Sequence, residues 1–151
     1  MEYAADLSTG QYRELAEFRR QIRRFLHFSE ATAREHHVEA QQHQLLLAIR
    51  GLPEGKKPTI RALAETMFIQ HHSAVELVNR LEKAGAVTRQ PSTEDRREVW
   101  IHLTAAGQRI LQQMVLAHRA ELERSGPELA RALRRVLRAG AEEGKHEQTR
   151  Q

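Results

Sequence analysis

The sequence contains no cysteine. This excludes a disulfide framework, a thiol redox switch and any zinc or iron–sulfur site that needs thiolate ligands. Aromatic residues are scarce, at 5%, which disfavours an aromatic-rich β-sandwich and suits aliphatic helix packing. There is no Gly-rich phosphate loop, no Gly-x-Ser-x-Gly elbow and no carboxylate pair in an evident cleft arrangement, so we expect neither an enzyme nor a cofactor. No apolar run approaches the length of a membrane helix. The opening Met1-Glu2-Tyr3-Ala4-Ala5-Asp6 carries acid and no signal-peptide core. The expectation is a soluble, cytoplasmic protein that does not engage membranes.

What is present is charge and helical periodicity. Twenty-four Lys and Arg face 20 Asp and Glu over 151 residues, a formal net charge of +4. An excess that small permits nucleic-acid binding, but only a local basic surface would count as its footprint. From Ser8 to Arg34, Leu15, Phe18, Ile22, Phe25 and Leu26 recur at helical spacing opposite Arg19, Arg20, Arg23 and Arg24. An apolar stripe of that width needs a partner, in this chain or in a second copy. A second helix runs from Glu39 to Arg50 and stops at Gly51. The breaker-rich stretch Leu52 to Pro58 follows. Thr59 opens a short helix from Ile60 to Met67, and another spans His71 to Lys83 with Val75, Val78 and Leu81 facing inward.

After Gly85 the period changes to two. Val87 and Arg89, then Val99, Ile101 and Leu103, alternate with polar residues as strands do. Between them lies a polar tip, Pro91 to Arg97. Thr104 caps a long helix from Ala105 to about Arg124, which Gly126-Pro127 should break before a last helix from Glu128 to Arg138. The fold class is therefore mainly α: a winged helix-turn-helix with long N- and C-terminal dimerisation helices and a small β-hairpin wing. Residues 1–36 and 105–140 form the helical dimerisation region, 37–104 the winged lobe, and 141–151 a frayed tail.

Several segments together resemble the MarR-type transcription regulators. They are Thr59-Ile-Arg-Ala-Leu-Ala-Glu65, Val78-Asn-Arg-Leu-Glu-Lys-Ala-Gly85, Val87-Thr-Arg89, Glu94-Asp-Arg-Arg97 and Leu103-Thr-Ala-Ala-Gly107. Each is weak alone; their order and spacing make the match. The resemblance implies a homodimer whose terminal helices interlock and which binds double-stranded DNA. His71, His72, Ser73, Glu76, Asn79 and Arg80 would lie on or near the exposed face of the recognition helix. Asp95 would hold the wing so that Arg97, with Arg96 beside it, enters the minor groove. Lys56, Lys57, Arg61 and Arg89 would contact phosphates, which fix register without reading bases. One departure stands out: many family members carry a small polar residue and Arg where this chain has Val75-Glu76, so base preference does not transfer. The resemblance also implies repression from a pseudo-palindromic operator, relieved by a small aromatic or phenolic effector in a pocket near Phe25, Phe28, His43, Leu46 and Met114.

Blander readings accompany these. A charged hairpin tip is usually just solvated, and arginines on amphipathic helices usually form solvated faces or ion pairs. His36, His37 and His43 cluster and His118 lies further on, but no HxxxH pair shares a helix, so we expect no metal. The rival functions are a winged-helix protein-interaction module that does not bind DNA, and a metal-responsive regulator.

Overall fold

Two short helices in the middle of the chain are separated by a three-residue connection. In a computed structural model, which describes the backbone of residues 7–148 and the side chains of residues 7–140, these are α3 (Ile60–Met67) and α4 (His71–Lys83). The remaining elements are α1 (Thr9–Glu35), α2 (Ala40–Arg50), β1 (Val87–Pro91), β2 (Val99–Leu103) and α5 (Ala105–Gln148). The chain divides into two compact units. Residues 30–117 form a winged lobe; the described residues before 30 and after 117 form a helical unit.

The lobe closes over an aliphatic core. Leu45 and Leu46 of α2, Leu63 of α3, Leu81 of α4 and Ile101 of β2 are wholly buried, joined by Leu77, Val78, Val87 and Leu111. Each such side chain contributes about 1.5–3 kcal/mol of transfer free energy, against an ordering cost of similar scale. Helix α3 starts where the Thr59 side chain accepts the Ala62 N–H at 3.1 Å. Strands β1 and β2 pair antiparallel, from Val87 opposite Leu103 to Pro91 opposite Val99. A lone hairpin is marginal in water; this one is held because Val87 and Ile101 enter the core. The Ile101 N–H also donates to the Pro58 carbonyl at 2.8 Å, tying the loop before α3 to the hairpin.

The Leu103-Thr-Ala-Ala-Gly107 segment has a physical explanation. The Thr104 hydroxyl donates to the Gly85 carbonyl at 2.6 Å and accepts the Gly107 N–H at 3.1 Å, so one side chain both caps α5 and anchors it to the end of α4. The Thr104 N–H donates to the Ala86 carbonyl at 3.0 Å. Gly107 is required by space: a Cβ there would overlap the Ala86 carbonyl oxygen.

The helical unit contrasts with this. Along α1 its buried positions are Gln21 and Ser29, and along α5 they are Glu121, Ser125 and Ala132. Phe25 and Phe28 are half-buried, and both rings meet the His118 ring edge to face at 5.7 and 5.6 Å. Nε2 of His118 lies 2.8 Å from the Ser29 hydroxyl. Leu15 and Leu26, part of the apolar stripe expected to need a partner in this chain or in a second copy, are exposed, as are Tyr12, Leu122, Leu133 and Leu137. The stripe is present, but within one chain its outer part is left in water.

Two expectations about α5 need correction. Gly126-Pro127 does not end the helix, which runs unbroken from Ala105 to Gln148 with Pro127 inside. Proline removes one ladder bond and crowds the preceding turn, at about 3 kcal/mol. On either side of it Ser125 and Ala132 are buried, and Glu128 pairs with Arg24 at 3.1 Å, an exposed contact worth about 0–1 kcal/mol. The same helix continues through residues 141–148 of the expected tail; residues 149–151, like the opening 1–6, lie outside the described residues. Among the described residues no helix is long and apolar enough to cross a membrane.

Candidate nucleic-acid interface

Helix α4 is amphipathic in the strict sense. Ala74, Leu77, Val78 and Leu81 are buried on one side, while Val75, expected inside, is only half-buried. The opposite side carries His72, Glu76, Asn79 and Arg80, spaced to share a face, with His71 at the first turn; all five are exposed and Ser73 is half-buried. The residues expected to meet DNA are thus brought together by the burial pattern of the helix.

Their charges are already engaged. Arg80 reaches Glu39, beside the start of α2, at 2.9 Å and lies 3.9 Å from Glu76 on its own helix. The negative charge of Glu76 is therefore partly balanced by the arginine one turn on. Arg89 is held more firmly: its guanidinium donates to Glu82 and to Asn79, each at 2.6 Å, and its backbone N–H donates to Glu82 at 3.3 Å. This makes Arg89 a brace between β1 and α4 that also orients Asn79. Arg61, on the first turn of α3, pairs loosely with Glu65 at 3.2 Å and is highly exposed. Exposed pairs of this kind are worth about 0–1 kcal/mol, so exchanging such a carboxylate for a phosphate costs little.

The wing tip is an ordered turn. The Ser92 hydroxyl accepts the N–H groups of Glu94 and Asp95 at 3.0 and 3.1 Å. The Ser92 N–H donates to the Glu98 carbonyl at 2.9 Å, and the Glu98 N–H to the Asp95 carbonyl at 3.0 Å. Asp95 in turn accepts the Arg97 N–H at 2.9 Å and sits 4.0 Å from its guanidinium. The Arg97 side chain is 94% exposed, and Arg96 is exposed beside it. A hydrogen-bonded backbone turn thus presents two exposed cations.

Lys57 links wing to lobe. Its ammonium lies 2.8 Å from a Glu94 carboxylate oxygen and 4.9 Å from the centre of the Trp100 ring. Such a contact adds about 0.5–1 kcal/mol at an exposed site. The Trp100 indole donates to Glu98 at 3.2 Å. Lys56, its neighbour, is exposed in the same loop.

Sequence reasoning missed the partners. Ser92, three positions before Asp95, carried a usable signal, because Ser followed by acidic residues is a side-chain-to-backbone turn pattern. Glu82, three residues after Asn79 on one helix face, carried another. Glu39 opposite Arg80, and Trp100 with Glu94 around Lys57, join residues far apart in sequence, so no local pattern marks them.

The five residues expected at an effector site divide between the units. Phe25 and Phe28 flank His118 in the helical unit. In the lobe, His43, Leu46 and Met114 are all buried, so they offer no lining surface unless the lobe opens. Among the described residues no three His, Asp or Glu side chains gather into a metal-ligating set.

The helical unit also holds a groove of about 210 Å³ bordered by Glu17, Arg20, Gln21, Glu128, Arg131, Ala132 and Arg135. In it Glu17 accepts two bonds from Arg20 and one from Gln21, at 2.7–2.9 Å. These donors, Arg20 first, lower its carboxyl to about 2. Arg124 similarly lowers the buried Glu121 carboxyl.

Residues 38–98 match the family model of the MarR family. No curated protein matches the chain. Among solved structures it is similar to AbsC, a MarR family transcriptional regulator from Streptomyces coelicolor, with a TM-score of 0.71 at 20% identity over 95% of this chain and 99% of that one. It is similar to CouR from Rhodococcus jostii bound to p-coumaroyl-CoA (TM-score 0.58, 25% identity, 66% of this chain and 68% of that one). A mutant MarR from E. coli complexed with operator DNA aligns with a TM-score of 0.58 at 22% identity over 74% of this chain and 75% of that one.

Proposed function

We propose that the chain is a MarR-family transcription regulator that binds a pseudo-palindromic operator as a homodimer and represses transcription; the match of residues 38–98 to that family's model supports the reading. The observation that carries the reading lies within one lobe: Arg89 of β1 is bonded to Asn79 and Glu82 on α4, whose polar face is exposed, and the ordered tip of the same hairpin offers Arg97 with its side chain 94% exposed. Helix α4 fits the major groove, where base edges carry a readable donor and acceptor pattern. Arg97, with Arg96, enters the adjacent minor groove while Asp95 keeps the turn in shape. Lys56 and Arg61 take phosphates. Lys57 and Arg89 act chiefly as braces, setting the angle of the wing and the side chain of Asn79.

Dimerisation is supported by the exposed leucines of the helical unit, which a second copy would bury. Two lobes so joined would place their α4 helices in successive major grooves, about 34 Å apart. A dimer seated on DNA in the cytoplasm blocks polymerase. CouR, at 25% identity, was crystallised with p-coumaroyl-CoA, which supports an aromatic effector here; it would release the operator by binding more tightly to a state unsuited to DNA.

The test is selection of bound fragments from genomic DNA, followed by mobility shifts across a salt series. Affinity should fall steeply with salt, because several phosphates are neutralised. Arg97→Ala should cost about 1–3 kcal/mol on the selected fragment. If no fragment is enriched and none binds at low salt, the lobe docks a protein and the DNA reading fails.

A further inference from the structure

We propose that Phe68 is an apolar DNA-contact residue, meeting thymine methyl groups at the edge of the major groove; the inference rests on the operator-binding reading above. Phe68 is the first of the three residues that connect α3 to α4. Its backbone is left-handed, with φ of 54°. That conformation closes α3, since the Phe68 N–H donates to the Glu65 carbonyl at 3.3 Å and the Ile69 N–H to the Ala64 carbonyl at 3.1 Å. Glycine adopts it without penalty, whereas a bulky side chain there is disfavoured.

An aromatic residue in such a position is normally retained because its ring is buried. This ring is 97% exposed, more than any other large hydrophobic side chain among the described residues. The lobe gains neither a relaxed backbone nor packing from it. The ring is therefore explained by something outside the lobe.

Its place in the fold points to what that is. Phe68 lies two residues before Gln70, which caps α4, and just ahead of His71 and His72. The N-terminal end of a recognition helix is the end that enters the groove. The exposed neighbours in sequence are polar: Glu65, Thr66, Gln70 and His71. An isolated ring among polar groups lacks the contiguous apolar centre of a protein–protein interface. It suits a polar groove whose one apolar feature is the C5 methyl of thymine, a group that phenylalanine contacts.

The test compares wild type with Phe68→Gly on a duplex recovered by selection with the wild type. Phe68→Gly should weaken binding by on the order of tenfold and leave the dependence on salt unchanged, because no phosphate contact is lost. Its melting temperature should stay level or rise as the strained residue is relieved. Replacing thymines one at a time by deoxyuridine through a half-site should weaken the wild type at one position and leave the variant indifferent there. Equal binding by both proteins, within twofold, would overturn the inference while leaving the DNA reading intact. A loss of affinity accompanied by a lower melting temperature or a shift in sedimentation would also overturn it, assigning the ring to folding or to contact with a second copy. Failure of the wild type to enrich any fragment would overturn the operator reading, and this inference with it.

Discussion

The winged lobe and the helical unit use the same amino acids in opposite ways. In the lobe, most leucine, valine and isoleucine side chains are inside and the ionic groups decorate the surface. In the helical unit, Gln21, Ser29, Glu121 and Ser125 are inside while Leu15, Leu133 and Leu137 are in water. The lobe has a continuous aliphatic core of its own, although Leu47, Phe68, Val99 and Leu116 remain exposed. In the helical unit the polar interior is hydrogen-bonded but contributes little transfer free energy, and much of the apolar surface is exposed, which is why we propose that a second copy covers it. An obligate dimer is expected to look like this when one copy is viewed alone.

That contrast can be broken most forcefully from the lobe side. Leu81→Ala should lower unfolding free energy by about 2–5 kcal/mol, because a wholly buried side chain leaves a cavity. Gly107→Ala should be comparably damaging, since the clash is with backbone and cannot be relieved by a rotamer. Urea titration monitored by Trp100, the single tryptophan, measures both. A cost below about 1 kcal/mol for Leu81→Ala would mean that the lobe does not carry its own core.

In the helical unit the corresponding change should act on assembly. The double substitution Leu133→Ser and Leu137→Ser should raise the dimer dissociation constant by about tenfold or more, with the melting of the lobe unchanged at fixed oligomeric state. Analytical ultracentrifugation over a dilution series reads this directly. An unaltered dissociation constant would place the subunit contact elsewhere and remove the main distinction drawn between the two regions.

The smallest effect is electrostatic. The Glu17 carboxyl is lowered to about 2, chiefly by its hydrogen bond from Arg20 and then by Gln21. A depressed carboxyl favours the folded form above its unfolded value near 4.5, and that contribution disappears as pH falls from there towards 2. Glu17→Gln should flatten the acid limb of the stability curve slightly and leave neutral pH almost unaffected. Thermal melts of both proteins between pH 2 and 6 would check it; an identical acid limb would mean that solvent screens the pair entirely.

Much of the lobe was legible before any coordinates. Ile60–Met67 and His71–Lys83 have the bounds that periodicity and capping suggested, and the hairpin follows Gly85 as expected. These features are local, written in spacings of two, three and four residues. What escaped was non-local or outweighed. Gly126-Pro127 looked like a break from its local signal, yet the helix runs across it. Lys57 and Arg89 looked like outward cations because Trp100, Glu94 and Glu82 are brought to them by tertiary structure. Leu15 and Leu26 belong to a stripe that needs a partner in this chain or in a second copy, and periodicity alone does not say which molecule covers it.

The missing side chain at Gly107 has a mechanical consequence. With the first turn of α5 lying against the Ala86 carbonyl and Thr104 bonded to both sides of the junction, this joint has no play. Torque applied to the start of α5 is delivered undamped to the root of the wing, as through a keyed shaft. A tilt of that segment would be felt first at Ala86, the residue before β1.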